Sequence, residues 1–418
     1  MNIIKRFTIG LLINIMIITI GSCVFADSNR AYGAELNNVS ISRNNKTQSN
    51  QSSDNEVNID KLDGNTKGKI DCLYDYINKM KTDVELMNDL DPIQYIKEYI
   101  KTGKGNISIG SVSKGVLSIV FKEVRSVLKL VISIVTIVII CSLIKSLQNA
   151  FSNDSISEIA FYACYALIIM VLSKSFIISI SVAREVITNI SDFMAALLPV
   201  LITMIGVAGG MTQAATLDPI VFAGVIFIPR IYSNIIIPLI LMGFVLEFAN
   251  NLSTEHKITN LCKLLKQCIL WMQGIIITVF IGLLTIRGIT SKTIDAVTLK
   301  TAKFAIDNFV PIVGKTFSDA IASVAGYSLI IKNAISSIGL VVIILILLYP
   351  IIKLVLMALI YKLAAALIEP ISDSRITNSV AAAGDSMILI ISCVLSVSLM
   401  FFILIAIIAS SGMFVVGG

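Results

Sequence analysis

Charge is scarce in this chain: of 418 residues, 14% are Asp, Glu, Lys or Arg. An ordinary soluble domain carries roughly 25%. There is one histidine, His256, and one tryptophan. A lone His in a polar loop makes a poor catalytic base or metal site, since both roles need partners. The seven cysteines form no CxxC pair and no even extracellular set. Neither a zinc site nor a disulfide framework follows from that spacing. Walker-type GxxxxGK[ST], HExxH and GxSxG strings are all missing, which removes the commonest nucleotide, metalloprotease and serine-hydrolase signatures. No Asp/Glu/His chain suited to a proton relay is visible within the apolar runs. The net charge of +6 comes without basic clusters, so no nucleic-acid surface is expected.

What is abundant is apolar surface. Hydrophobic residues make up 56% of the chain, and mean hydropathy is +0.88. The stretch 193–249, FMAALLPVLITMIGVAGGMTQAATLDPIVFAGVIFIPRIYSNIIIPLILMGFVLEFA, organises the rest. A bilayer crossing takes about 20 apolar residues. This stretch holds two crossings with a Gly-rich break between them. The expected fold is all-α: a polytopic helical membrane protein.

Residues 1–26 read as a secretory signal peptide, with Lys5 and Arg6 before a short apolar run and Val24-Phe25-Ala26 at the cleavage end. An uncleaved first helix and a lipoprotein signal ending at Cys23 are the alternatives. Residues 27–60 are too polar to offset their ordering entropy and read as a disordered segment. Residues 61–125 read as a small helical extracytoplasmic region, with Asp91-Pro92 between two short helices and 103–115 as a Gly/Ser linker. Over 27–125, Lys and Arg balance Asp and Glu at 14 each.

Candidate crossings fall near 126–147, 157–181, 193–213, 220–249 and 268–286, forming a first transmembrane group at 126–286. A second group at 334–412 holds 334–349, 351–368 and 386–410, with the pair around Pro350 read alternatively as one kinked unit. With an external N-terminal region, this count puts the basic connector 287–333 on the cytoplasmic side. It also puts Lys257, Lys263 and Lys266 outside, against the positive-inside rule.

Three sets of residues are candidates for function. Gly206, Gly210 and Ala214 form a small-xxx-small series that lets helix backbones approach, for helix packing or assembly. Thr212, Gln213, Thr216 and Asp218 follow it and are candidate cavity-lining groups, or a plain loop with Asp218 capping the next helix. The connector at 290–308 is amphipathic. Lys292, Asp295, Lys300, Lys303 and Asp307 share one face, and Ile294, Val297, Thr301, Phe304 and Ala305 the other. Lys292, Lys300, Lys303 and Phe304 are therefore candidates for a partner-docking helix. Phe309 to Gly314, FVPIVG, breaks it.

Four strings then point to a family: GGMTQAATLDPIVFAG, LKTAKFAIDNFVPIVGKTFSDA, LYPIIK and AALIEPISD. Over about 110–412 the chain resembles stage III sporulation protein AE. The resemblance implies a multi-pass protein of the mother-cell membrane around the engulfed forespore. It implies one subunit of a secretion-like channel complex, with other stage III subunits and a forespore-side channel partner beside it and the lipid bilayer as its solvent. It implies no enzyme activity, no cofactor and no catalytic residues. A secondary transporter for a small solute is the rival reading. Its usual second, matching broken helix is not seen in the sequence.

Overall fold

The computed structural model describes residues 64–83, 91–102, 109–151, 154–253, 257–309 and 314–411. The leader at 1–26, the polar segment 27–60 and His256 lie outside the described residues. Among the described residues there is no strand. The elements are α1 (Gly64–Asp83), α2 (Pro92–Thr102), α3 (Ile109–Phe151), α4 (Asp154–Val207), α5 (Met211–Ile231), a π-helical turn (Tyr232–Ile236), α6 (Ile237–Leu252), α7 (Thr259–Phe309), α8 (Gly314–Ile368) and α9 (Ser374–Ala409).

Six helical stretches are long and apolar enough to cross a membrane: Lys114–Leu143, Phe161–Val207, Met211–Leu252, Thr259–Gly288, Ser323–Ile368 and Ser374–Ala409. That corrects the eight windows read from hydropathy. Arg184, Glu185 and Asp192 interrupt the apolar run, yet they lie on the exposed side of an unbroken α4. Ala183, Val186, Ile187, Ile190 and Phe193 continue its buried side at helical spacing. Pro350 likewise lies inside α8. At 1.5 Å per residue α8 is about 80 Å long, well over twice a hydrocarbon core of about 30 Å. Such helices tilt steeply or project beyond the lipid.

α9 is the centre of the bundle, packed against α4, α6, α7 and α8. Its Met387, Ile390, Val394, Val397, Phe401 and Leu404 are completely buried. Helices that follow one another across a turn run antiparallel, and their contacts define two ends. At one end Tyr165 donates to the Phe248 carbonyl (2.9 Å) and meets Ser379 Oγ (2.8 Å). Lys266 pairs there with Glu247 at 2.7 Å. At the other end lie the α4–α5 break, the last third of α7, the first third of α8 and the C-terminus of α9. The N-terminal helices join that second end. Lys69 Nζ donates to Thr203 Oγ1 (2.9 Å), and the Tyr95 hydroxyl meets Ser337 Oγ (2.9 Å). Burial, with Asp71 and Asp91 beside it, pushes the Tyr74 hydroxyl up to about 12, as expected of α1 docked on the bundle.

Asp295 and Lys332, from the described parts of 287–333, lie at the same end as α1 and α2, and Lys266 lies at the opposite end. The expected linker 103–115 is overtaken from Ile109 by α3. Cys141 of α3 and Cys164 of α4, 23 residues apart in sequence, form a disulfide, a pairing that their sequence spacing did not suggest.

Prolines shape the α5–α6 unit. Pro229 has no N–H for the Val225 carbonyl, and Pro238 has none for the carbonyls a turn behind it. Side chains of α4 supply the missing donors. Ser191 Oγ donates to Val225 O (3.0 Å) and Arg184 Nη2 to Ser233 O (3.3 Å). The π-turn sits between these two prolines.

α5 meets α7 at Gly224, where an added Cβ would lie 2.2 Å from the Phe280 ring. Gly282 on α7 faces open space. Gly→Ala favours a helix by about 1 kcal/mol where there is room. Gly282→Ala is therefore expected to hold or raise the melting temperature in detergent. Gly224→Ala is expected to lower it, through overpacking of about 1–3 kcal/mol. Equal melting temperatures for the two variants would contradict this contact.

Candidate functional site

The break between α4 and α5 is made by glycine. Gly209 has φ 93°, which side-chain-bearing residues rarely adopt. The Gly209 and Gly210 amides turn back to the carbonyls of Gly206 (3.0 Å) and Ile205 (2.9 Å). A Cβ at Gly210 would lie 2.6 Å from Ile205 Cγ2. A Cβ at Gly206 would lie 3.8 Å from Ala214 Cβ. The series Gly206, Gly210, Ala214 thus straddles the turn. Gly206 and Ala214 face one another across the break, and the three do not form one stripe along one helix.

α5 starts at Met211, with Gly210 as a cap that offers no side chain. Its first amides need an acceptor. Asp295, buried in the last third of α7, supplies it. Oδ1 accepts from Thr212 N and Oδ2 from Gln213 N, each at 2.9 Å. A carboxylate at a helix N-terminus also meets the positive end of the helix dipole. This is a helix cap delivered from 82 and 83 residues away in sequence.

The opposite polarity is handled beside it. Lys332 of α8 is completely buried. Its Nζ donates to the carbonyls of Ala409 (2.8 Å), Ile408 (3.2 Å) and Ser411. Those are the last carbonyls of α9 and the turn after it, where an ammonium is favoured. Gln213, also buried, joins the two caps: its Nε2 donates to Ser411 Oγ at 2.7 Å. One polar junction therefore ties the start of α5, the last third of α7, α8 and the end of α9.

Of the expected cavity-lining residues, Gln213 is in this junction by its side chain and Thr212 by its amide. Thr216 Oγ1 bonds back to the Thr212 carbonyl (2.8 Å) within α5. Asp218 lies well inside α5, so it does not cap that helix; its side chain lies outside the described residues. The side chains of Lys292, Lys300, Lys303 and Phe304, proposed for docking, also lie outside the described residues, although α7 runs through all four positions. On the described part of that helix the acid faces inward. Ile294 and Val297 are 47% and 61% exposed.

Asp295 and Lys332 were not distinguished from the other connector charges by the sequence. The available signal was that Lys332 follows Leu329-Ile330-Ile331 directly and precedes a crossing. Ionisable groups inside apolar runs are expensive and usually face protein. Among the described residues no group of three His, Cys, Asp or Glu could hold a metal ion. Both charges are committed to helix ends, so the chemistry this junction offers is that of a clasp: it fixes four helices in one register.

A family model described as stage III sporulation protein AE matches residues 90–412. The chain is also similar to the Stage III sporulation protein AE of Bacillus subtilis (strain 168). Identity is 31% over 299 residues, covering 72% of this chain and 75% of that protein. No solved structure matches. The matched region runs from just before α2 to the turn after α9, so that every apolar helix lies within it, and the chain belongs to the stage III sporulation protein AE family.

Proposed function

We propose that this protein is a non-enzymatic, multi-pass subunit of the sporulation channel complex that links mother cell and forespore. In this reading it resides in the mother-cell membrane around the forespore and packs with other stage III subunits. The N-terminal helices face the space between the two membranes, where a forespore-side channel partner would be met. The observation that carries the reading is the family membership of a chain with six apolar, membrane-length helices. The junction supports a structural role, because its buried charges bond to helix ends of this same chain.

Deleting the gene in its host is expected to leave vegetative growth normal and to stop spore formation after engulfment. Sporulation at wild-type frequency in the deletion strain ends this reading. Isolating the tagged protein from sporulating cells then checks the partners directly.

A further inference from the structure

Two flanks of the bundle meet their surroundings at different depths. α4 and α7 both pack on α9, so α9 measures depth for both. On the α4 side Tyr165 meets Ser379, and a Cβ at Gly339 would meet both Leu197 and Ile405. Residues 184–192 of α4 therefore lie beside 393–401 of α9. On the α7 side Gln273 bonds to Cys393, and Asp295 connects through Gln213 to Ser411. Residues 275–283 of α7 therefore lie beside the same stretch of α9. At that one depth the flanks differ in kind. α7 shows Ile275, Val279 and Leu283, which are 57%, 55% and 48% exposed. α4 shows Arg184, Glu185, Thr188 and Asp192, all exposed. A bilayer at equal height on both flanks would place those charges in hydrocarbon, which is costly.

Nearer Tyr165 the contrast reverses. The same face of α4 is apolar there, with Leu167, Met170 and Ile177 50%, 66% and 58% exposed. Lys174 is the one charge in 162–178, and a lysine stem snorkels towards headgroups. At that depth α7 exposes Lys263 and Gln267 beside Leu261 and Leu264. The apolar band of α7 begins only after these, over 268–286, and holds no charge between Lys266 and Arg287. Each band is about 25 Å long at 1.5 Å per residue, close to a hydrocarbon core of about 30 Å. The α7 band is displaced towards the C-terminus of α9 by roughly ten residues, about 15 Å. The N-terminal helices mark the same border independently. Just past Asp192, α4 is covered by α1: the Tyr76 ring lies 6.4 Å from that of Phe193, and Lys69 bonds to Thr203. The outward side of α1 carries Asp71, Asp75 and Lys79, a surface for water and not for acyl chains.

We infer that the bundle sits obliquely in the bilayer. Lipid acyl chains cover 162–178 on α4 and 268–286 on α7, and the polar face of α4 at 181–192 stands in water beside the docked N-terminal helices. Tilting is the ordinary way in which apolar bands are matched to the hydrocarbon. The inference rests on the multi-pass reading above and not on the sporulation role.

Trp271 is the single tryptophan of the chain and is 65% exposed near one end of the α7 band. The test places the full-length protein in phosphatidylcholine nanodiscs whose acyl chains are brominated either near the headgroup or near the chain ends. Shallow bromines are expected to quench Trp271 fluorescence several-fold more than deep ones. An upright bundle puts Trp271 near the bilayer centre, so stronger quenching by deep bromines overturns the inference. Two variants in a Trp271→Phe background report the other flank, both at exposed positions. Met170→Trp is expected to be quenched chiefly by deep bromines, and chiefly shallow quenching there overturns the inference. Thr188→Trp is expected to be quenched by iodide in the buffer and by neither lipid. Quenching of Thr188→Trp by either lipid overturns it, and shielding from lipid and iodide alike overturns it in favour of a protein cover such as a second copy. No lipid quenching at any of the three tryptophans would instead overturn the multi-pass reading itself.

Discussion

Asp295→Ala is expected to destabilise the bundle by about 2–4 kcal/mol. Two backbone amides lose a charged acceptor, and bonds of that kind contribute about 1.5–3 kcal/mol each. Relief from burying a carboxylate offsets part of that loss. Both amides belong to the first turn of α5, and Gly210 offers no substitute side chain. The loss should therefore be local before it is global. Amide exchange at Thr212 and Gln213 should speed up well ahead of exchange at the far end, around Tyr165 and Ser379. Asp295→Asn keeps one acceptor oxygen but turns an NH2 towards the second amide, so it should recover less than half of the deficit. Thermal unfolding in detergent reads the total, and hydrogen exchange by mass spectrometry reads the locality. An alanine variant within experimental error of wild type on both measures would mean that α5 does not depend on its remote cap.

The residues explain why some of this was legible in advance and some was not. The break was legible at Gly209, because a Gly-Gly pair in an apolar run marks a turn that needs positive φ. The interruption at Phe309–Gly314 was legible for a similar reason: α7 ends at Phe309 and α8 begins at Gly314. Helix number was misread at 182–192, because hydropathy senses solvent while the helix is held by its own hydrogen bonds. Arg184, Glu185 and Asp192 lower the local hydropathy without disturbing that ladder, and the spacing of Val186, Ile190 and Phe193 already carried the helical period. On the connector, Asp295 shares a polar face with lysines in the sequence pattern, and in the structure it meets amides of another helix. No local pattern encodes a partner 83 residues away.

Lys332→Met should cost a similar amount, about 2–4 kcal/mol, and its pattern of loss should differ. Methionine keeps most of the length and the apolar stem, so the packing of α8 against α9 is largely preserved. What disappears is the ammonium, and the carbonyls of Ile408, Ala409 and Ser411 lose their donor together. The last turn of α9 should then fray, which releases Ser411 from Gln213 and so weakens the start of α5 from the other side. The two caps are therefore coupled through Gln213. In a double-mutant cycle with Asp295→Ala, the combined loss should fall short of the sum by about 0.5–3 kcal/mol, as for other residues of one network. Simple additivity would show that Asp295 and Lys332 serve their helix ends separately and that no single clasp exists. Shared loss, with Gln213→Leu abolishing the coupling while leaving each single effect in place, would show that the bundle is locked at one point where four helices meet.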